Sequence, residues 1–218
     1  MVEASRLPSG ISSKKEFYDL ICEQLAALLE GERSWITNLS NASSLLFWAF
    51  RDSHFWGDGE GAVNWCGFYL DSSFFPSTSA SPSPSPVSPP GSPSTAAPTP
   101  ILKLGPFQGR PACLLIPARA GGGVCADAYV RRRPVLVADV HQYAGHIPCD
   151  AETSAEVVLP LVVPSAGRAG GGGEGRGRAL GVLDLDCLRV GGFDEQDVRG
   201  LGSVAEIVVR ACDWPEAP

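Results

Sequence analysis

The run Leu183-Asp184-Leu185-Asp186 holds two carboxylates at a spacing that can support chemistry. Because side chains alternate along a β-strand, Asp184 and Asp186 are expected on one face and the leucines on the other. Burying two carboxylates side by side is costly unless a cation compensates them or one of them keeps its proton. The run therefore predicts a pocket for a ligand cation such as an ammonium group, with a solvated strand end as the alternative.

A second reactive group is Cys149, in the segment His146-Ile147-Pro148-Cys149-Asp150. A cysteine that follows proline in an irregular loop is expected to be more exposed than a cysteine inside an apolar run. His146 is a candidate activator of this thiol, and Glu156 follows seven residues after the cysteine. The same atoms could bind a metal, but no CxxC pair or HxxxH partner accompanies them, so no metal site is predicted.

The other cysteines fall into two groups. Cys125 follows three glycines at the start of a short predicted helix, where free N–H groups and the helix dipole favour a thiolate. Cys113 lies in the strand before that loop. The total of seven cysteines is odd, so they cannot all pair within one chain. The remaining four are expected to be packing residues: Cys22, Cys66, Cys187 and Cys212.

Aromatic side chains flank a glycine in the segment Trp65-Cys66-Gly67-Phe68-Tyr69. Strand alternation places Trp65, Gly67 and Tyr69 on one face. The missing side chain at Gly67 predicts a gap between the two rings that could admit a small apolar group or a sulfur. Ordinary aromatic packing over the glycine is the alternative.

Hydrophobic periodicity indicates the elements that must position these groups. It predicts helices over 14–30, 42–50 and 124–130 and a last helix capped by Asp194, and Ser13 with Glu16 forms a capping box before the first. The predicted strands cover 62–70, 101–104, 112–116, 134–137, 156–163 and 180–188. A turn over 105–109 joins the second and third strands, and 139–155 is expected to be irregular. The pattern is typical of an α+β domain with one largely antiparallel sheet covered by helices.

Two low-complexity stretches interrupt this pattern. Residues 76–100 include nine prolines and eight serines, which predicts a disordered, polyproline-like excursion. An insertion in a loop is the favoured interpretation, and a ligand for an SH3 or WW domain is the alternative. Residues 167–177 include seven glycines and predict a flexible connection between two strands. Without both stretches the chain keeps an ordinary single-domain size, so residues 1–218 are predicted to form one domain.

Composition excludes several function classes. The chain of 218 residues has 17 basic and 24 acidic side chains and a net charge of −7, which argues against binding a nucleic-acid backbone. No apolar stretch approaches the roughly 18 residues that span a bilayer, so no membrane association is expected. The first six residues lead into no apolar segment, so no secretory signal is predicted. We expect a reducing, cytoplasmic location.

Several segments outside the low-complexity stretches share their pattern with one known family. They are WITNLSNASSL (35–45), VNWCGFY (63–69), LGPFQG (104–109) with AC (112–113), GVC (123–125), HIPCD (146–150), SAEVVLP (154–160) and LGVLDLD (180–186). On these residues the chain resembles the free methionine-(R)-sulfoxide reductases, which are single GAF domains with a central six-stranded, mostly antiparallel sheet flanked by helices. Three cysteines in matching contexts make this resemblance more specific than a general likeness to GAF domains.

The resemblance implies a role for each reactive cysteine. Cys149 matches the nucleophile that attacks free methionine sulfoxide, releases methionine and becomes a sulfenic acid. Cys113 matches the principal resolving cysteine, and Cys125 matches a third cysteine that resolves or relays the disulfide. No bound cofactor is implied. Thioredoxin, which receives its electrons from NADPH through thioredoxin reductase, would restore the thiols. The family also suggests a homodimer and a role in the oxidative stress response.

The resemblance implies a substrate pocket as well. Glu156, Asp184 and Asp186 match acidic residues that hold the ammonium group, and one protonated member can donate to the sulfoxide oxygen. Trp65 and Tyr69 match an aromatic wall around the methyl-sulfur end. The alternative function is a GAF sensor module that binds a small ligand without catalysis.

The chain departs from the family pattern beside two of the cysteines. Ala126 and Asp127 follow Cys125 where the family usually has Gly-Thr, and Pro148 replaces a common small residue before Cys149. The first departure bears on the mobility and the thiolate character of Cys125 more than on the nucleophile.

Overall fold

The computed structural model of the chain describes residues 10–76, 99–145, 150–164 and 177–216. Within these ranges the helices are α1 (Lys14–Leu28), α2 (Trp35–Asp52), α3 (Val124–Arg131) and α4 (Glu195–Ala211). The strands are β1 (Val63–Asp71), β2 (Ile101–Gly109), β3 (Leu115–Pro117), β4 (Val135–Val137), β5 (Ala155–Val163) and β6 (Arg178–Cys187). Two short 3₁₀ helices cover Ser72–Phe74 and Val140–Gln142.

The six strands form one sheet in the order β3-β2-β1-β6-β5-β4, with every neighbouring pair antiparallel. The buried runs of β1 and β6 lie at its centre. At the sheet's far end, Asp71 pairs with Leu102 across β1 and β2, and Val163 pairs with Arg178 across β5 and β6. The predicted α+β class, with a six-stranded sheet flanked by helices, is confirmed.

The two faces of the sheet have different coverings. On one face α2 packs against β1 and β2, α4 packs against β5, and α1 packs across both helices. This face holds the larger core, which includes Phe17, Phe50 and Phe68. The other face carries α3 and a smaller cluster around Trp65 and Tyr69. The thick helical layer thus supports the sheet from behind and leaves the α3 face available for a site.

The helix starts follow their caps. Ser13 Oγ accepts from the Glu16 N–H as predicted, although the Glu16 carboxylate accepts from Ser12 instead of completing a capping box with Ser13. The second helix begins at Trp35, earlier than predicted, because Ser34 caps it and its buried stripe continues through Asn38. Polar residues around Asn38 interrupt the hydrophobic pattern, so the first half of this helix was not predicted. Asn38 is fully buried and donates to the carbonyls of Glu32 and Ala211.

The turn predicted over 105–109 is wrong, because these residues belong to β2. Their neighbour β1 provides the pairing, with Gly67 opposite Phe107 and Trp65 opposite Gly109. Pro106 lies where the register shifts between Gly67 and Tyr69, a bulge at which a residue without an N–H is tolerated. The third strand, predicted over 112–116, is correspondingly shorter and covers Leu115–Pro117.

Parts of the predicted organisation lie outside the described residues, namely 77–98 of the Pro/Ser-rich stretch and most of the Gly-rich stretch. Their disorder and flexibility stay predictions, as does the single domain over 1–218. Among the residues that the structure describes, none of the helices combines the length and the apolar character needed to cross a bilayer.

Gly181 tests how tightly the sheet centre is packed. A Cβ at this position would lie 2.2 Å from the Tyr69 carbonyl oxygen and 2.8 Å from Leu70 Cα, so backbone would have to move. We expect Gly181→Ala to destabilise the protein by about 1–3 kcal/mol or more in urea unfolding. Gly202 in α4 is the matched control, because a Cβ there meets nothing within 4 Å. Gly202→Ala should be neutral or should stabilise by up to about 1 kcal/mol. Equal effects of the two substitutions would contradict this packing.

Candidate active site

Strand register brings the predicted carboxylates together on the α3 face of the sheet. Glu156 on β5 is paired with Asp186 on β6, and Asp186 is paired on its other side with Trp65 of β1. Asp184 lies two residues before Asp186 and therefore on the same face. The three carboxylates are buried, with 6% to 8% of each residue exposed. The predicted alternative of a solvated strand end is wrong.

A cavity of about 80 Å³ lies above these carboxylates. Its walls combine the sheet, the loop before α3, the first turn of α3 and the β2–β3 connection. The lining residues are Tyr69, Cys113, Leu115, Ile116, Pro117, Gly122, Gly123, Val124, Cys125, Ala126, Thr153, Glu156, Asp184 and Asp186. The cavity is much smaller than the roughly 300–1,000 Å³ pockets of drug-sized ligands, so it suits a small molecule.

Cys125 enters the cavity from the second residue of α3. The helix is preceded by Gly123, whose φ of 109° is open to glycine but strained for other residues. The Cys125 Sγ lies 3.2 Å from Asp184 Oδ2 and 3.9 Å from Glu156 Oε1. The sulfur and both carboxylates therefore form one buried polar cluster, which we call the acidic cluster together with Asp186.

Burial governs the protonation of the acidic cluster. It raises the pKa of Glu156 well above its ordinary value, and the charges of Asp184 and Asp186 raise it further. Burial likewise raises the pKa of Asp184 to about 7, against hydrogen bonds from Cys125 and Glu156 that lower it. The pKa of Asp186 is raised by burial and then by the charges of Asp184 and Asp150. At neutral pH the cluster therefore retains protons in place of a full set of negative charges.

The prediction that Cys125 is poised as a thiolate is contradicted. Burial raises the pKa of Cys125 well above its ordinary value, and the neighbouring charges of Asp184 and Glu156 raise it further. The helix N-terminus is outweighed because the sulfur lies against two carboxylates in a dry environment. In the ligand-free protein Cys125 is therefore a thiol that donates to Asp184.

One carboxylate oxygen of the acidic cluster has no hydrogen-bond donor among the described residues. Asp184 Oδ1 is buried and accepts no hydrogen bond from the part of the chain that the structure describes, although Oδ2 of the same group contacts Cys125. A buried acceptor without a donor costs free energy, and a ligand with N–H or O–H groups would recover it.

The two predicted aromatic residues occupy different places. Tyr69 lines the cavity, and its hydroxyl donates to the Cys113 carbonyl at 3.0 Å. Trp65 stacks behind Tyr69 with ring centroids 5.9 Å apart and is not among the cavity-lining residues. The gap predicted at Gly67 is filled, because a Cβ there would lie 2.4 Å from Phe107 Cβ and 2.6 Å from the Trp65 ring. Ordinary aromatic packing over the glycine is the observed alternative.

The structure thus brings together Tyr69, Cys113, Cys125 and the three carboxylates. Cys149 and His146 lie outside the described residues, which resume at Asp150. The segment after Cys149 is anchored by Asn64, whose Nδ2 donates to Asp150 Oδ2 at 3.2 Å and to Thr153 Oγ1 at 3.1 Å. Sequence reasoning missed this anchor, because its partners are almost ninety residues apart along the chain.

The donor atoms of Cys125, Glu156 and Asp184 lie within 4.8 Å of one another, a spacing that a metal ion could also use. All three groups would have to lose their protons first, against the raised pKa of each. The expectation that the protein works without a metal stays a prediction.

Comparisons with known proteins agree with this geometry. Residues 14–212 match the family model of the GAF domain. The chain is 33% identical to the free methionine-R-sulfoxide reductase of Saccharomyces cerevisiae over 92% of this chain and 88% of the relative. It is 34% identical to the enzyme of the same name from Escherichia coli, over 93% and 94% of the two chains. The structure of the free methionine-R-sulfoxide reductase of Neisseria meningitidis in complex with its substrate superposes with a TM-score of 0.67 at 29% identity, covering 94% of this chain and 93% of that one.

The acidic cluster predicts an unusual pH dependence of stability. A carboxyl whose pKa is raised on folding stabilises the fold at pH values below its unfolded pKa, and that contribution is lost as the pH rises through its folded pKa. For Asp184 this window runs from about 4 to about 7. We therefore expect the melting temperature of the ligand-free protein to fall between pH 5 and 8.

Glu156→Gln and Asp184→Asn should each reduce that fall and stabilise the protein at pH 8 by about 1–4 kcal/mol, since each removes a buried carboxyl that must either keep its proton or carry a buried charge. Glu206→Gln is the control, because Glu206 is an exposed acid on α4. If all four proteins show the same pH profile of melting temperature, the acidic cluster does not hold protons in the folded state.

Proposed function

Because the chain belongs to the GAF-domain family of free methionine-R-sulfoxide reductases, we propose that it reduces free methionine-(R)-sulfoxide to methionine with a cysteine thiol. The observation that supports this most directly is the buried acidic cluster at the base of a small cavity. A free amino acid brings an ammonium group, which offers three N–H donors and a positive charge to those carboxylates. A methionine sulfoxide within a peptide has a neutral amide in that place and cannot compensate them.

The unpartnered oxygen of Asp184 is the acceptor that this ammonium would occupy. Ionisation of Asp184 then becomes favourable, since an adjacent cation lowers a carboxyl pKa. A carboxyl group that stays protonated, with Glu156 as the candidate, can donate to the sulfoxide oxygen as the S–O bond weakens. Asp186 is the third carboxyl group of the cluster, and burial raises its pKa so that it can hold a further proton.

Cys149 is the proposed nucleophile. Its sulfur attacks the sulfoxide sulfur, and the oxygen passes to the cysteine, so that Cys149–SH and the sulfoxide become Cys149–SOH and methionine. Cys113 then attacks the sulfenic acid, which yields a disulfide and one molecule of water. Cys113 lies in the cavity wall, and its carbonyl accepts a hydrogen bond from the Tyr69 hydroxyl. This position supports its role as the resolving cysteine. Cys125 would act later as a relay, because burial and then the charges of the acidic cluster raise the pKa of its thiol.

Two electrons and two protons must restore the thiols. We propose that thioredoxin supplies them in the cytoplasm, drawing on NADPH through thioredoxin reductase, and that no cofactor is bound. The product is free methionine recovered from an oxidised pool, which fits a response to oxidative stress. We also propose a homodimer, which analytical ultracentrifugation would test.

Substitution of the cysteines tests the order of steps. With free methionine-(R)-sulfoxide, thioredoxin, thioredoxin reductase and NADPH, we expect Cys149→Ser to lose at least about 1,000-fold in turnover, since removing a nucleophile removes the whole catalytic route. Cys113→Ser should still form about one methionine per enzyme in the first turnover and fail to recycle. Cys22→Ser is the control, because Cys22 lies on α1 behind the sheet. Methionine formation by Cys149→Ser would remove this residue from the mechanism, and binding without any methionine in the wild type would favour a sensor module.

The ammonium requirement can be tested on the substrate itself. N-acetyl methionine sulfoxide keeps the reacting sulfur but replaces the cation by an amide, which leaves buried carboxylates without compensation. We expect kcat/KM to fall by about 10⁴-fold, the size of penalty seen when a site's buried polar groups lose their partner. A loss of less than tenfold would show that the acidic cluster does not recognise the amino group.

A further inference from the structure

Asp127, on α3, is a buried charged residue that the proposed chemistry does not use. It is 2% exposed and lies two residues after Cys125. Its Oδ1 accepts from the Gly121 N–H at 2.8 Å, and its Oδ2 accepts from the Tyr143 hydroxyl at 2.5 Å. Arg131 donates to Oδ2 at 3.0 Å. One carboxylate therefore joins the loop before α3, the helix itself and the turn at Tyr143.

The two loops that Asp127 joins are in close contact. A Cβ on Gly145 would lie 2.5 Å from the Gly121 carbonyl oxygen, so only glycine fits at this crossing. Both glycines have positive φ, 83° at Gly145 and 72° at Gly121. Loop 121–123 leads directly into the turn of α3 that carries Cys125, and residues 143–145 lead directly into the segment 146–149 that carries Cys149. The contact thus lies at the entry to each of the two cysteine-bearing segments.

The bond between Asp127 and Tyr143 has a fixed direction over the range of physiological pH. Burial raises the pKa of Asp127, but the hydrogen bonds from Tyr143 and Gly121 and the charge of Arg131 outweigh it, so the pKa lies below its ordinary value. Burial and the same carboxylate raise the pKa of Tyr143 to about 12. A phenol therefore always donates to a carboxylate here, and such charge-assisted hydrogen bonds are stronger than neutral ones.

The contribution of Arg131 is smaller, because its side chain is 55% exposed and pairs with Asp127 along the helix surface. The hydrogen bonds from Gly121 and Tyr143 join different segments of the chain. The Asp127 carboxylate that accepts both of them is buried.

We propose that Asp127 is a positioning residue that fixes the 143–145 turn against the 121–123 loop and thereby sets the rate of the first reductive step at Cys149. Asp127 does not line the cavity, so it acts through the two loops and makes no contact with substrate. This inference rests on the proposed function of Cys149. It gives the aspartate that departs from the family pattern a task that a residue without a carboxylate could not perform in the same way.

The test compares two tyrosines, Tyr143 in the turn and Tyr129 on α3, whose hydroxyls each donate to an aspartate. Tyr143→Phe removes only the hydroxyl that holds the turn to Asp127. Tyr129→Phe is the matched control, because the Tyr129 hydroxyl on α3 donates to Asp71 Oδ2 on β1 at 2.7 Å. Each variant loses one hydrogen bond between a tyrosine and an aspartate, and each of these bonds joins α3 to another segment. Asp127→Asn is the conservative variant, which can still accept from Gly121 but has lost the charge.

Two measurements are made on each full-length protein. The first is hydrogen–deuterium exchange of peptides that contain residues 140–145. The second is a single turnover of pre-reduced enzyme with free methionine-(R)-sulfoxide, which gives the rate of methionine formation at saturation and the half-saturating concentration. Melting temperatures are recorded to separate a general loss of stability from a local effect.

We expect Tyr143→Phe to speed exchange in 140–145 and slow the saturated first turnover by about fivefold each, with the half-saturating concentration unchanged. Asp127→Asn should be intermediate, and Tyr129→Phe should stay within twofold of the wild type in both measurements at a similar melting temperature. Unchanged exchange in Tyr143→Phe would overturn the proposal, as would faster exchange with an unchanged turnover. Equal slowing by both phenylalanine variants would also overturn it. A wild-type protein that forms no methionine would refute the proposed function, whereas the exchange comparison would still decide whether Asp127 holds the turn.

Discussion

The clustering of three carboxylates on one buried sheet face, against the Cys125 thiol of α3, is the constraint on which this structure depends. Antiparallel pairing of β5 and β6 makes it unavoidable, because Glu156 and Asp186 are register partners and Asp184 shares their face. Such a face opposes folding in the absence of ligand, since each group must stay protonated or remain poorly solvated. The large apolar core on the opposite face, with α1, α2 and α4, supplies the stability that offsets it.

The same cluster links substrate binding to cysteine chemistry. Burial and then the neighbouring carboxylates raise the pKa of Cys125, so that a reactive thiolate is not maintained inside the fold. Under the proposed function an arriving ammonium group would supply the missing positive charge and shift protons within the cluster toward the sulfoxide oxygen. Charge compensation and proton supply then come from one set of residues, which explains why a small cavity is sufficient.

The local sequence pattern predicted correctly those features that depend on a single strand or helix. Alternation alone placed Asp184 and Asp186 on one face, and the helix caps at Ser13 and Asp194 were found from residue type. Glu156 entered the site only through the family resemblance, because cross-strand register cannot be obtained from one segment. The helix dipole suggested a thiolate at Cys125 because the opposing carboxylates, on other strands, were not part of that reasoning. The contact between Asp127 and Tyr143 was missed for a similar reason: it spans sixteen residues and two loops.

Strand pairing at the far end of the sheet, where β1 and β5 end and β2 and β6 begin, has an evolutionary and practical consequence. Asp71 is held opposite Leu102, and Val163 opposite Arg178, by neighbouring strands that fix these ends whatever chain runs between them. Lengthening a connection whose ends are already fixed costs little, about 0.6 kcal/mol for each doubling of a flexible loop. Both connections are therefore places where lineages can accumulate or shed sequence, and where a fluorescent reporter or an affinity tag can be introduced at little cost to the stability of the fold.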